Sequence, residues 1–135
     1  MISGGERLAV ELTSLTVSYR SHERDYAAVS ELDLSVASGR FVSIVGPTGC
    51  GKSTVLNVVA GLREPSSGHV LIDGEPLKGL NRTAGYMFQQ DALLPWKTVL
   101  DNVAFGLELA GVGKKERTAR ARDWVVRVGL GGFEN

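Results

Sequence analysis

The chain has 135 residues, the length of one ordinary domain, and its 43% apolar and 22% charged residues argue against a disordered chain. Fifteen basic side chains balance fifteen acidic ones, which excludes a strongly basic nucleic-acid-binding protein, so no nucleic-acid partner is expected. The single cysteine excludes an internal disulfide framework, no apolar run reaches the ~18 residues that cross a bilayer, and no secretory signal is visible.

The first third of the chain carries strand patterns. Apolar and polar residues alternate over 8–12, 15–19 and 32–36, which predicts antiparallel strands with one solvated face. Residues 41–45, Phe-Val-Ser-Ile-Val, form a nearly continuous apolar run, which is typical of a strand buried on both faces. We therefore expect an antiparallel layer followed by a core strand.

The middle of the chain alternates between helix and strand signals. A helix is predicted over 52–60, with Val55, Leu56 and Val59 on one side and a glycine directly after it. Short strands are predicted at 70–72, before an Asp-Gly hairpin signal, and at 86–88.

Two helices are predicted near the C-terminal end of the sequence. Thr98, with Asp101 three residues later, resembles a capping box and starts the first of them. The second covers 115–128, and its apolar stripe is spaced i, i+3, i+4, i+7. That stripe comprises Ala121, Trp124, Val125 and Val128.

One motif, between the predicted core strand and the first predicted helix, is typical of a binding site. Residues Gly46-Pro47-Thr48-Gly49-Cys50-Gly51-Lys52-Ser53 match G-x-x-x-x-G-K-[ST]. The glycines let successive N–H groups converge on one anion, and the helix N-terminus adds the positive end of its dipole. Lys52 is predicted to bind the β- and γ-phosphates, Ser53 to bind Mg²⁺ and Thr54 to donate to the α-phosphate region. The sequence therefore predicts a nucleoside triphosphate site.

Two further side chains are candidates for this site. Gln89 follows the 86–88 strand and has an amide oxygen that suits Mg²⁺ or an attacking water, although a lone glutamine is more often a surface residue. Tyr19 closes an early strand and offers a ring for stacking on adenine, although a lone tyrosine is more often in the core or at its rim.

A set of motifs spread from about Leu8 to Gly132 resembles the ATP-binding subunit of an ABC transporter. The set comprises Gly46–Thr54, Gly61-Leu62, Pro65–Gly68, Asp73-Gly74 and Tyr86–Gln89. Two more stretches, Leu93–Trp96 and Asp101–Leu107, are similar to the nitrate/sulfonate/taurine importer subgroup. The resemblance implies an α/β fold: a P-loop NTPase core of the ABC ATPase type with an N-terminal antiparallel β-subdomain and, over about 98–130, the start of a helical subdomain.

The resemblance also implies roles for individual residues. Tyr19 stacks on adenine, residues 46–54 hold the phosphates of ATP, and Ser53 and Gln89 bind Mg²⁺. The glutamine loop, about 89–96, lies near the groove that receives a helix of the membrane subunit.

The partners and location that the resemblance implies are those of an importer subunit. ATP lies between two copies in a homodimer, which binds transmembrane permease subunits and, through them, a solute-binding protein. The assembly imports a small solute such as nitrate, sulfonate or taurine, and the subunit is peripheral on the cytoplasmic face of the cell membrane.

Three features that an ABC ATPase needs for hydrolysis do not follow Gln89: a Leu-Ser-Gly-Gly-Gln-type signature, an Asp-Glu strand and a switch histidine. We therefore expect residues 1–135 to be the N-terminal part of a single nucleotide-binding domain, truncated before its helical subdomain is complete and containing no catalytic residue. The parent protein is expected to hydrolyse ATP, and this chain alone is expected to be inactive. The alternatives are an ATP-binding fragment without turnover, a soluble ABC ATPase that works on DNA or translation, and a small-molecule kinase.

Overall fold

A computed structural model describes residues 7–20, 25–90 and 92–135, without the side chain of Asp25. These residues fall into two compact units, divided between Tyr86 and Met87. Asp91, which belongs to the predicted glutamine loop, lies outside the described residues.

The first unit is built on a four-stranded antiparallel sheet with strand order β2-β1-β3-β4. The strands are β1 (Leu8–Arg20), β2 (Asp25–Ala37), β3 (Ser67–Ile72) and β4 (Glu75–Pro76). The short hairpin between β3 and β4 turns at the predicted Asp73-Gly74 pair, where both residues have positive φ. The predicted antiparallel layer is therefore confirmed.

Strand β1 is continuous, whereas the sequence pattern predicted two separate segments. A bulge joins the segments at Ser14, where φ is 47° and the register against β2 shifts. The extra residue returns Leu15 to the face that Leu12 occupies, although a spacing of three would place them on opposite faces of a regular strand. The Ser14 N–H donates to Asp33 Oδ1 at 2.6 Å, so the bulged amide keeps a partner.

The core of the first unit lies between the sheet and helix α1 (Lys52–Val59). Six buried apolar side chains form this core: Leu12, Leu15, Val17, Val55, Val58 and Val70. The predicted helix is confirmed, but the prediction that Leu56 lies on its buried side is wrong. Val55 and Val58, one turn apart, face the sheet, and Leu56 points about 100° away from Val55 and is 51% exposed.

Two predicted strands are not formed among the described residues. Residues 41–45 and 86–88 belong to no strand, and Phe41 and Val45 are 93% and 87% exposed. A strand exists through hydrogen bonds to a neighbour, and no described strand pairs with either segment. The predicted burial of 41–45 is therefore wrong, and no parallel core sheet is present in the described part of the chain.

The second unit contains helices α2 (Val99–Leu109) and α3 (Lys114–Arg127), which pack against each other. The predicted cap is confirmed, because Thr98 Oγ1 accepts from the Asp101 N–H at 3.1 Å. The stripe predicted for the last helix is only partly buried. Ala121 and Val125 are fully buried, whereas Trp124 and Val128 are more than half exposed.

Among the described residues, none of the helices combines the length and the apolar character that crossing a membrane requires.

Candidate functional site

The predicted phosphate-binding loop runs directly into α1, as the motif requires. Gly49 and Gly51 adopt left-handed conformations, with φ of 84° and 91°. Gly51 also packs against β2 so closely that a Cβ on it would overlap the Ala28 carbonyl oxygen and lie 3.0 Å from Val29 Cγ2. A glycine is therefore needed at position 51 both for the backbone conformation and for the contact with the sheet.

The N-terminus of α1 is open to an anion. Gly51 is the N-cap residue, no side chain caps the helix, and its first turn holds no acidic residue. The first helical hydrogen bond runs from the Val55 N–H to the Gly51 carbonyl at 3.0 Å. The N–H groups of residues 52–54 consequently have no partner within the helix and carry the positive end of its dipole.

The Lys52 side chain folds back over the loop. Its Nζ donates to the carbonyl oxygens of Gly46 at 2.9 Å and Pro47 at 2.6 Å, and lies 3.6 Å from Cys50 Sγ. These contacts hold the ammonium group against the loop. Cys50 is exposed, and its N–H donates to the Pro47 carbonyl at 3.4 Å.

A cavity of ≈ 350 Å³ lies against this loop and joins it to the predicted base-binding residue. Its lining residues are Tyr19, Tyr26, Ala28, Gly49, Gly51, Lys52, Ser53 and Thr54. The structure thus brings Tyr19 together with half of the predicted phosphate loop. Gly46, Pro47, Thr48 and Cys50 lie on the same loop but do not line the cavity. The size is within the usual range for small-ligand sites.

Tyr19 is held by neighbours on several sides. Its hydroxyl lies 3.4 Å from Thr54 Oγ1, which ties β1 to the first turn of α1. The Tyr26 ring stacks on the Tyr19 ring, with centroids 5.5 Å apart and planes 13° apart. The guanidinium carbon of Arg63 lies 3.8 Å from the Tyr19 centroid.

Tyr26 was not found from the sequence. The signal that reveals it is the pairing of β1 with β2, in which Tyr19 and Tyr26 are directly opposite each other. That pairing depends on the register of two long strands with several irregularities, which the sequence pattern does not specify.

The residues at the site fit Mg²⁺ bound mainly through phosphate. Ser53 is exposed in the cavity and offers one hydroxyl oxygen. The described residues contain no cluster of three or more His, Cys, Asp or Glu side chains that would form an all-protein metal site. Mg²⁺ commonly takes one or two protein oxygens and completes its shell with phosphate and water. Gln89 is exposed in the second unit, and its role as an Mg²⁺ ligand stays a prediction.

A second, larger cavity of ≈ 620 Å³ lies elsewhere in the first unit. It opens between α1 and the β3–β4 hairpin and includes Val58, His69 and Leu77. None of the predicted site residues lines it, and it has no helix N-terminus. The smaller cavity is therefore the better candidate for a nucleotide, because the anion-binding groups face it.

The sequence is similar to those of known proteins. Residues 29–135 match the sequence profile of the family described as ABC transporter. The taurine import ATP-binding protein TauB of Pseudomonas aeruginosa is 48% identical over 124 residues, 92% of this chain and 46% of that protein. The uncharacterized ABC transporter ATP-binding protein MJ0412 of Methanocaldococcus jannaschii is 41% identical over 129 residues, 96% of this chain and 48% of that protein. The chain spans about half the length of these curated relatives.

The fold has a solved counterpart. The ATP-binding cassette MJ0796, determined as a dimer in a post-hydrolysis state with ADP and Pi, matches with a TM-score of 0.83 and 34% sequence identity. The match covers 93% of this chain and 60% of that chain. The predicted α/β fold class of the ABC ATPase type is confirmed by this likeness. The sequence match and the shared architecture together show that the chain belongs to the ABC transporter family and has the fold of its ATP-binding cassettes.

Proposed function

We propose that this chain binds MgATP through residues 46–54 and belongs to the energy-coupling subunit of an ABC importer. The observation that carries the proposal is the cavity in which the left-handed glycines, the open N-terminus of α1 and the Lys52 ammonium converge. These groups are the donors that a triphosphate requires.

Each side chain has a defined task in this proposal. Lys52 exchanges its carbonyl partners on Gly46 and Pro47 for the β- and γ-phosphate oxygens of ATP. The Ser53 hydroxyl binds Mg²⁺, which neutralises phosphate charge when it is bound, and Thr54 donates to the α-phosphate region. Gln89 supplies a second Mg²⁺ oxygen, and the Tyr19 region receives the base.

The names of the relatives suggest what the whole protein does. Several curated relatives are taurine import ATP-binding proteins, and the solved cassette is a dimer. We extend this to a homodimer on the cytoplasmic face of the membrane, bound to permease subunits and supplied by a solute-binding protein. Its cargo is a small solute such as taurine, another sulfonate or nitrate. The parent protein hydrolyses ATP in this role.

A second candidate, nucleotide binding without turnover, applies to the 135 residues by themselves. It is favoured by the absence of a signature motif, an Asp-Glu strand and a switch histidine after Gln89. Hydrolysis needs a positioned water with a carboxylate near it and donors that face the γ-phosphate. The glycine loop alone provides only part of this set.

The binding step is tested by titration calorimetry with MgATP on the longest open reading frame that contains these residues. Lys52→Ala is expected to weaken binding by at least about tenfold, because each charge-assisted bond to phosphate contributes ~1.5–3 kcal/mol. Lys115→Ala removes a lysine at the start of another helix and serves as the control with unchanged affinity. Equal affinity for Lys52→Ala and the wild type would contradict the assignment of the loop.

The importer role is tested by deleting the gene and measuring uptake of labelled taurine, an alkanesulfonate and nitrate. We expect uptake of one solute class to be lost and to return with the wild-type gene but not with Lys52→Ala. Unchanged uptake of all three would contradict the proposed cargo class.

A further inference from the structure

Tyr19 is connected to both ends of helix α1. At the start of the helix, its hydroxyl lies 3.4 Å from Thr54 Oγ1. Beyond the end of the helix, the Arg63 guanidinium lies over the Tyr19 ring, with its central carbon 3.8 Å from the ring centroid. At this distance the cation is attracted by the electron-rich ring and packs against it. The ring orientation is therefore fixed relative to the helix that follows the phosphate-binding loop.

Arg63 is itself held through both its backbone and its side chain. Its N–H donates to the carbonyl of Asn57, in the last turn of α1, at 3.3 Å. Its Nη2 donates at 3.0 Å to the carbonyl of Ser18, the residue before Tyr19 on β1. A planar guanidinium can stack on a ring and donate from its edge at the same time, so one side chain contacts both the backbone and the ring at the end of β1.

The position of the Arg63 side chain has a cost. Its Nε is buried and has no hydrogen-bond partner in the described part of the chain. A buried donor without a partner is unfavourable, whereas an arginine side chain turned into solvent would bond to water. The contacts with the Tyr19 ring and the Ser18 carbonyl are therefore the interactions that favour the observed conformation.

We propose that Arg63 is a positioning residue for the nucleotide site, which holds the Tyr19 ring in the orientation that receives the base. This inference rests on the proposed function, in which the Tyr19 region receives the base. Arg63 does not line the cavity beside the phosphate-binding loop, so it acts through Tyr19 and not by contact with the nucleotide. Its removal should weaken the interactions with the base and leave those with the triphosphate intact.

The proposal is tested with two ligands, MgATP and magnesium tripolyphosphate, which has the phosphates but no base, on the longest open reading frame that contains the chain. We expect Arg63→Leu to weaken MgATP binding about three- to tenfold, within the range that a cation–π contact contributes, and to leave tripolyphosphate binding unchanged. Arg82→Leu, at an exposed arginine of the same unit that lines neither cavity, should bind both ligands like the wild type.

A double-mutant cycle with Tyr19→Leu measures whether Arg63 acts through the ring. Tyr19→Leu removes the ring, and we expect it to weaken MgATP binding and to leave tripolyphosphate binding unchanged. Arg63→Leu should then cause no further loss in the Tyr19→Leu background. A general effect of Arg63→Leu on the fold would instead appear in both backgrounds.

The outcomes separate the inference from the proposal on which it rests. Unchanged MgATP affinity in Arg63→Leu overturns the role of Arg63. An equal loss for both ligands, or the same loss in the Tyr19→Leu background, also overturns it, because the substitution then acts on the fold and not through the ring. In each of these cases the assignment of the phosphate-binding loop stands. If the wild type binds neither ligand, the proposed function fails, and the inference fails with it.

Discussion

Substitution of Gly51 measures how much the contact between the phosphate-binding loop and β2 contributes to stability. In Gly51→Ala, the new Cβ would overlap the Ala28 carbonyl oxygen, and the residue would have to keep a φ of 91°. The left-handed conformation costs about 1–2 kcal/mol. Relieving the overlap requires a shift of β2, which is backbone and not a flexible side chain, and adds about 1–3 kcal/mol. We expect the free energy of unfolding to fall by about 2–5 kcal/mol.

Gly49→Ala is the matched control for this experiment. Gly49 has nearly the same φ, 84°, but no heavy atom lies within 4 Å of the position that a Cβ would take. Only the conformational cost of about 1–2 kcal/mol then applies. Urea unfolding without nucleotide, followed by far-UV circular dichroism, measures both variants. Equal destabilisation by the two substitutions would refute the reasoning, because the contact with β2 would then contribute nothing.

Three further predictions concern the stability of the second unit, solubility and turnover. Asn102 donates from Nδ2 to the carbonyls of Leu94, Lys97 and Thr98 and accepts from the Leu94 N–H. Asn102→Ala should therefore destabilise the second unit by about 1–3 kcal/mol in thermal unfolding. Full retention of stability would contradict a stabilising role for these hydrogen bonds. The 135 residues made alone should be poorly soluble, because apolar residues 41–45 are exposed, and should release no phosphate from MgATP above background. A monomeric preparation with hydrolysis that Lys52→Ala abolishes would contradict that expectation.

Two of the features predicted correctly from the sequence, the Thr98 cap and the Asp73-Gly74 turn, depend on local interactions. The Thr98 cap spans three residues, and the hairpin turn needs only the positive φ of Asp73 and Gly74. In each case the residues that interact lie within one or two turns of each other, so the pattern contains the whole interaction.

The features predicted wrongly depend on distant partners. Residues 41–45 have the composition of a core strand, but a composition does not supply the neighbour that a strand needs. Trp124 fits the stripe of α3 by spacing, yet the packing of α2 against α3 covers only Ala121 and Val125. Tyr26 lies at the site because it pairs with Tyr19 across β1 and β2. The register of these two strands depends on bulges that no local sequence pattern predicts.

The central claim is that residues 46–54 receive the triphosphate of ATP. Hydrogen exchange, measured by mass spectrometry on the longest open reading frame that contains the chain, tests it most directly. With MgATP at the wild-type Kd, we expect the backbone amides of residues 46–54 to exchange more slowly, since their N–H groups would bond to phosphate, and we expect Lys52→Ala to remove most of this change at the same nucleotide concentration. Unchanged exchange in this loop, or protection confined to the larger cavity around β3 and β4, would contradict the account.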